Sequence, residues 1–143
     1  MIQFSAGHGP DSQSIGIALE EMFLEYTIPP GRAPVPVTVI GQARMPGANN
    51  ILLALARKTG KFYTTAEEIT PWLAKTPPGL DAIEAKLAGQ DYILGPYTIV
   101  DMAMYPLALR QPELLPTYPN VCAWIERLRI RPGVGRGMMA VAG

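Results

Sequence analysis

The residues with chemistry to offer are few. His8 is the single histidine of the chain, in a loop between Gly7 and Gly9; an imidazole there is either a general base or a solvated loop residue. Asp11 and Ser12 follow that loop at the start of a helical pattern. Each can cap free amides, and Asp11 can also act as an acid. Cys122 is the one cysteine and sits beside Val121 and Ile125, which suits a small core residue more than a redox group. A lone cysteine excludes a disulfide framework, a CxxC pair and a cysteine-based zinc site within one chain. Arg127, Arg129, Arg131 and Arg136 can attract an anion or form a solvated face. Arg32 suits a carboxylate or plain exposure.

The chain has 143 residues, 48% of them apolar and 17% charged. That length fits one domain or two small ones sharing a core. Twelve basic residues balance twelve acidic ones, so no surplus of Lys and Arg is available for phosphates, and a nucleic-acid partner is not expected. No Lys or Arg precedes Arg32, and the longest apolar stretch, Ile51 to Ala56, has six residues. A leader peptide and a membrane span (about 20 apolar residues) are therefore not expected. The expectation is a cytoplasmic protein without a membrane partner.

The elements that must position these residues follow from periodicity. Ile2 to Ser5 alternates as a strand. Apolar residues at 15, 18, 19, 22, 23 and 26 mark a helix over Ser12 to Tyr26, capped by Asp11 or Ser12, with Glu20 and Glu21 on the wet side. A strand at Tyr26 to Ile28 is cut by Pro29 and Pro30. Pro34 to Ile40 is extended, Gly41-Gln42 reads as a hairpin turn, and Ala43 to Met45 as a short strand. A helix capped by Asn49 or Asn50 runs through Ile51 to Ala56 and stops at Gly60. Thr65 and Glu68 form a capping box for a helix that Pro71 disturbs. Thr76 to Gly79 is the clearest break. Leu80, Ile83 and Leu87 mark a helix closed by Gly89. Thr98 and Asp101 form a second capping box, with Tyr97 and Met102 as its hydrophobic staple, and Pro106 is set to kink the helix that follows. The last helix starts near Pro119, carries Val121, Trp124, Ile125 and Leu128 on one face, and ends at Pro132-Gly133. The apolar tail from Gly137 packs on the body or on a partner.

Several strings resemble the glutathione S-transferase family, in the family's own order. Gln13 to Tyr26 is similar to its first helix. Gly31-Arg-Ala-Pro-Val35 resembles the segment that carries a cis-proline. Asn50 to Gly60 resembles the helix after the glutathione-contacting acidic-Ser pair. Tyr92 to Pro106 resembles the capping-box segment of the helical half, and Tyr118 to Leu128, with Arg131 to Val134, the closing helix and its stop. The nearest likeness is to the bacterial branch resembling disulfide-bond oxidoreductases.

The resemblance implies an α/β plus all-α chain. An abbreviated thioredoxin-like N-terminal half (residues 1–63) would precede a shortened helical C-terminal half (64–143). Glutathione would serve as co-substrate, its cysteine paired with backbone beside Ala33-Pro34, with Arg32, Asn49 and Asn50 as further contacts. The helix start at Asp11 and Ser12 would stabilise the thiolate, with Ser12 as its donor. The partner would be a small electrophile or a disulfide, and a homodimer stays open.

This chain departs from the family's pattern in three places. Gly9, Pro10 and Asp11 stand where the bacterial branch has a hydroxyl residue, proline and asparagine. Gly47 and Ala48 stand where the family has its acidic-Ser pair. Only five residues, 29–33, separate Ile28 from Pro34, whereas a crossover helix needs about a dozen. Two readings follow: a glutathione-dependent transferase or disulfide reductase, and a non-catalytic relative that keeps the scaffold for binding.

Overall fold

The computed structural model describes residues 2–7, 9–31, 37–40, 43–74 and 78–141. Strand β1 (Ile2–Ser5) leads into helix α1 (Pro10–Glu21) and then β2 (Tyr26–Thr27). β1 and β2 pair in parallel, Ile2 against Tyr26, so the opening is a βαβ unit. β3 (Val37–Ile40) runs antiparallel on the other side of β1, and β4 (Ala43–Pro46) antiparallel beyond it. The order β2-β1-β3-β4, followed by helix α2 (Ala48–Thr59), is the thioredoxin-like arrangement. Among the described residues no helix intervenes between β2 and β3. Ile40 pairs with Ala43 across the hairpin; Gly41 and Gln42, expected as its turn, lie outside the described residues.

Helix α3 (Ala66–Ile69) starts where Thr65 accepts from the Glu68 amide, and Pro71 sits in the tighter turn Thr70–Leu73 that follows. α4 (Leu80–Lys86), α5 (Ile99–Ala108), α6 (Pro119–Arg129) and α7 (Pro132–Ala140) complete the helical half. One apolar cluster runs through both halves. Phe4 of β1, Ile15 and Leu19 of α1, Leu52 and Leu55 of α2, Ile99 of α5 and Trp124 of α6 all belong to it, fully buried. Burial of this kind contributes roughly 25 cal/mol per Å² of apolar surface.

Four local expectations need correction. α1 starts at Pro10 with Gly9 as its N-cap and no side-chain cap: proline's preset φ and missing N–H favour the first helical position, so Asp11 and Ser12 fall inside the first turn. α2 starts at Ala48 behind Gly47, whose φ of 93° suits glycine, so Asn49 and Asn50 are first-turn residues too. Glu21 is buried, not solvated; its carboxylate pairs with Arg131 Nε at 2.6 Å. α6 does stop ahead of Pro132-Gly133, but it is not the last helix: α7 opens there, again with proline in the first turn.

α7 lies on α1 at backbone contact. A Cβ on Gly16 would meet the Gly137 carbonyl oxygen at 2.6 Å, and one on Gly137 would meet Ile17 Cα at 2.4 Å. The approach needs glycine at both positions, and it packs the tail on the body. Asp101 has no exposure: its Oδ1 accepts from the Ile93 amide and from Trp124 Nε1, and its Oδ2 from the Thr98 amide. The Thr98 hydroxyl accepts from the Val100 amide, which completes the expected box.

Candidate functional site

The N-terminal ends of α1 and α2 face a common cavity. About 360 Å³ in volume, it is lined by Asp11, Gly47, Ala48, Asn49, Asn50 and Leu73. Helix starts leave backbone N–H groups without intrahelical partners and carry partial positive charge. Neither helix has a side-chain cap, and α2 has no acidic residue in its first turn. The first intrahelical bond of α2 is from the Ile51 amide to the Gly47 carbonyl, at 3.0 Å, so the amides before it are the ones suited to an anion.

A second cavity of about 300 Å³ adjoins the first and shares Asp11 and Asn49 with it. Its wall is Trp72 and Ala74 after α3, and Ala103, Met104 and Leu107 of α5, with Ser14 of α1 at its polar side. It lies where the sheet-bearing half meets the helical half. A recess at two helix starts beside a slot of mixed polar and apolar lining can hold two ligands next to each other.

The residues expected at a site divide as follows. Asp11, Asn49 and Asn50 come together around the first cavity. Asn49 also ties its helix to the segment behind it, because its side-chain amide donates to the Leu73 carbonyl. Asn50 donates to the Pro46 carbonyl at 3.4 Å. Ser12 is 1% exposed, and its Oγ accepts from the Gly7 amide at 2.7 Å, which pins the loop before α1. His8, Arg32, Ala33 and Pro34, with the expected cis bond, lie outside the described residues.

Cys122 is half-buried with its thiol against the Leu115 carbonyl, and it lines neither cavity. The four arginines make no common face. Arg127 donates to the Asp91 carbonyl, Arg129 pairs with Glu126, Arg131 with Glu21 and Arg136 with Glu20. Arg131 also stacks on Tyr97, 4.2 Å from the ring centroid. Burial and then the Glu21 charge raise the Tyr97 phenol above its ordinary pKa, so it stays protonated. Among the described residues no three His, Cys, Asp or Glu gather as for a metal ion, and no helix is long and apolar enough to cross a membrane.

Trp72, Met104 and Leu107 are site residues that periodicity alone does not single out. The available signal is α5 itself: Ile99 to Ala108 is apolar on nearly every side, more than one core contact requires.

Comparison with known proteins agrees with this architecture. The sequence family described as "Glutathione S-transferase, C-terminal domain" matches residues 50–132. A glutathione transferase family member from Pseudomonas fluorescens, solved with two glutathione bound, is similar over 96% of this chain and 92% of its own, at 20% identity and a TM-score of 0.79. The theta class glutathione S-transferase of Xanthomonas axonopodis pv. citri, in its apo form, is similar over 99% of this chain and 98% of its own, at 20% identity and a TM-score of 0.79. A glutathione transferase homolog from Lodderomyces elongisporus, with two glutathione per subunit, is similar over 97% and 98% respectively, at 17% identity and a TM-score of 0.80. No curated protein matches the sequence significantly.

Proposed function

Because the chain belongs to the glutathione S-transferase family, we propose that it binds glutathione at the recess where α1 and α2 begin. The observation that carries this is the uncapped start of α2 beside Gly47, Asn49 and Asn50 in a 360 Å³ cavity. A carboxylate of the tripeptide is the anion such amides accept. Glutathione is present in the P. fluorescens and L. elongisporus neighbours. The backbone beside Ala33-Pro34 is proposed to pair with the cysteine part of the tripeptide, and Arg32 to contact a carboxylate.

The adjoining cavity, with Trp72, Met104 and Leu107 in its lining, suits a small electrophile or a mixed disulfide. In conjugation the glutathione sulfur bonds to the electrophile's carbon as the leaving group departs with its electron pair. In disulfide reduction the sulfur attacks a sulfur and releases a thiolate. Both fit a cytoplasmic protein of the disulfide-oxidoreductase-like branch, with a glutathione-binding unit over 1–63, a helical unit over 64–143, and a homodimer as its assembly.

A second reading has its own support. Among the described residues that line the two cavities there is no Tyr, Cys or His, and Ser12 is turned to Gly7. A scaffold that binds without activating the thiol would look the same.

Calorimetric titration with reduced glutathione, followed by conjugation of an activated aryl halide, tests both. Saturation at millimolar concentration or below is expected. Asn50→Asp places a charge in the first turn of α2, which favours the helix but repels a carboxylate ligand. It should weaken binding about tenfold without lowering stability. Absence of saturation removes the glutathione reading. Saturation without turnover of halide or disulfide leaves the scaffold reading.

A further inference from the structure

Two of the polar side chains that line the slot between the two halves already spend their donors on the protein. The Ser14 hydroxyl donates to the Asp11 carbonyl at 2.7 Å, and the Asn49 side-chain amide donates to the Leu73 carbonyl. What these side chains still offer a ligand is mainly acceptor capacity: the Asp11 carboxylate, the Asn49 carbonyl oxygen and the Ser14 lone pairs. Asp11 is the only charged group among the described residues that line the slot, and it is exposed. Trp72, Met104 and Leu107 line the same slot.

A slot whose described lining combines Trp72, Met104 and Leu107 with one carboxylate and no cation matches a ligand with an aromatic or aliphatic body and a cationic, hydrogen-bond-donating end. We infer that the second ligand of this site is an amphipathic cation, an aryl or alkyl ammonium compound, with its charge on Asp11 and its body between Trp72 and Leu107. Calling that ligand the second substrate rests on the glutathione reading above. The charge preference itself does not.

Three naphthalene probes that differ only in charge test it by calorimetric titration of the protein without glutathione. They are 2-naphthylmethylammonium, 2-naphthylmethanol and 2-naphthylacetate. The ammonium is expected to bind about tenfold more tightly than the acetate, with the alcohol between. Asp11→Asn should remove the preference, since Ser14 holds the Asp11 backbone and not its carboxylate. Leu107→Lys, which adds a cation to the same slot, should reverse it.

Equal binding of the three, a preference for the acetate, a preference that survives Asp11→Asn, or no binding at all overturns the inference. The glutathione titration separates the two readings. Glutathione binding without charge preference removes only this inference, and charge preference without glutathione binding removes only the other.

Discussion

Trp124 donates its indole N–H to Asp101 Oδ1 at 2.8 Å, across 23 residues of chain and in a place water does not reach. The same carboxylate holds the amides of Ile93 and Thr98. One side chain therefore joins the loop before α5, the first turn of α5 and the middle of α6. A buried carboxylate with three N–H partners is stabilising only while all three bonds are made.

Asp101→Asn would turn an N–H group towards at least one N–H donor. A loss of about 2–4 kcal/mol is expected, read from urea midpoints at unchanged m-value. Trp124→Phe should cost less, and the double variant should fall short of the sum of the two. Strict additivity would show that the residues do not act together.

The same group predicts a dependence on pH. Burial pushes the Asp101 carboxyl up to about 6, above the ordinary carboxylate range and against the pull of its amide and indole donors. The folded state then holds a proton that the unfolded chain releases between about pH 4 and pH 6. Stability should therefore rise as pH falls through that window and decline as pH rises through about 6. The span is about 3 kcal/mol at most, since a tenfold difference in proton affinity is worth about 1.4 kcal/mol. Glu20, lowered chiefly by the Tyr26 hydroxyl, acts in the opposite direction at lower pH. Urea titrations from pH 4 to 7 on wild type and Asp101→Asn should differ in slope; parallel curves would remove Asp101 as the source.

Backbone contact between α1 and α7 gives a paired test. Gly137→Ala puts a methyl 2.4 Å from Ile17 Cα and should cost about 1–3 kcal/mol by overpacking, or more if α7 lifts away. Gly135→Ala lies in the same helix with nothing within 4 Å of the new carbon, and should stabilise by up to about 1 kcal/mol through helix propensity. Thermal unfolding of both variants decides. Equal shifts would mean that α7 does not rest on α1 as described.

Glu84 of α4 caps a helix other than its own. Its two carboxylate oxygens accept the amides of Asn120 and Val121 at 3.1 and 3.0 Å, at the start of α6. Glu84→Ala should cost about 1–2 kcal/mol, as loss of a helix N-cap does. Glu84→Gln should restore part of it, having one acceptor oxygen left. A rescue that fails would point to charge on the helix dipole and not to the bonds themselves.

How much of the molecule is legible in its sequence depends on the range of each interaction. The Thr98–Asp101 box, the Thr65–Glu68 cap, the stop at Gly60 and the buried face of α6 are local, and each appears in the structure where the pattern places it. Helix starts fall earlier than the pattern suggests, by two or three residues at both α1 and α2. Residue type points to side-chain caps there, whereas Pro10 and two glycines set the entry. The polar edge of the site, Asp11 with Asn49 and Asn50, is readable from residue type. Its apolar wall is not, because Trp72, Met104 and Leu107 have the spacing of ordinary core residues.

By itself the amino-acid order determined which stretches become helix or strand and which residues cap or stop them, since those outcomes depend on neighbours a few positions apart. Folding in three dimensions decided the rest. It buried Glu21 against Arg131, 110 residues away. It made Pro132–Ala140 a helix and chose α1 as the surface it packs on, and brought two helix starts and residues of α5 around adjoining cavities. Such meetings depend on shape and charge matching across the whole chain, and residue periodicity carries no record of which faces come to touch.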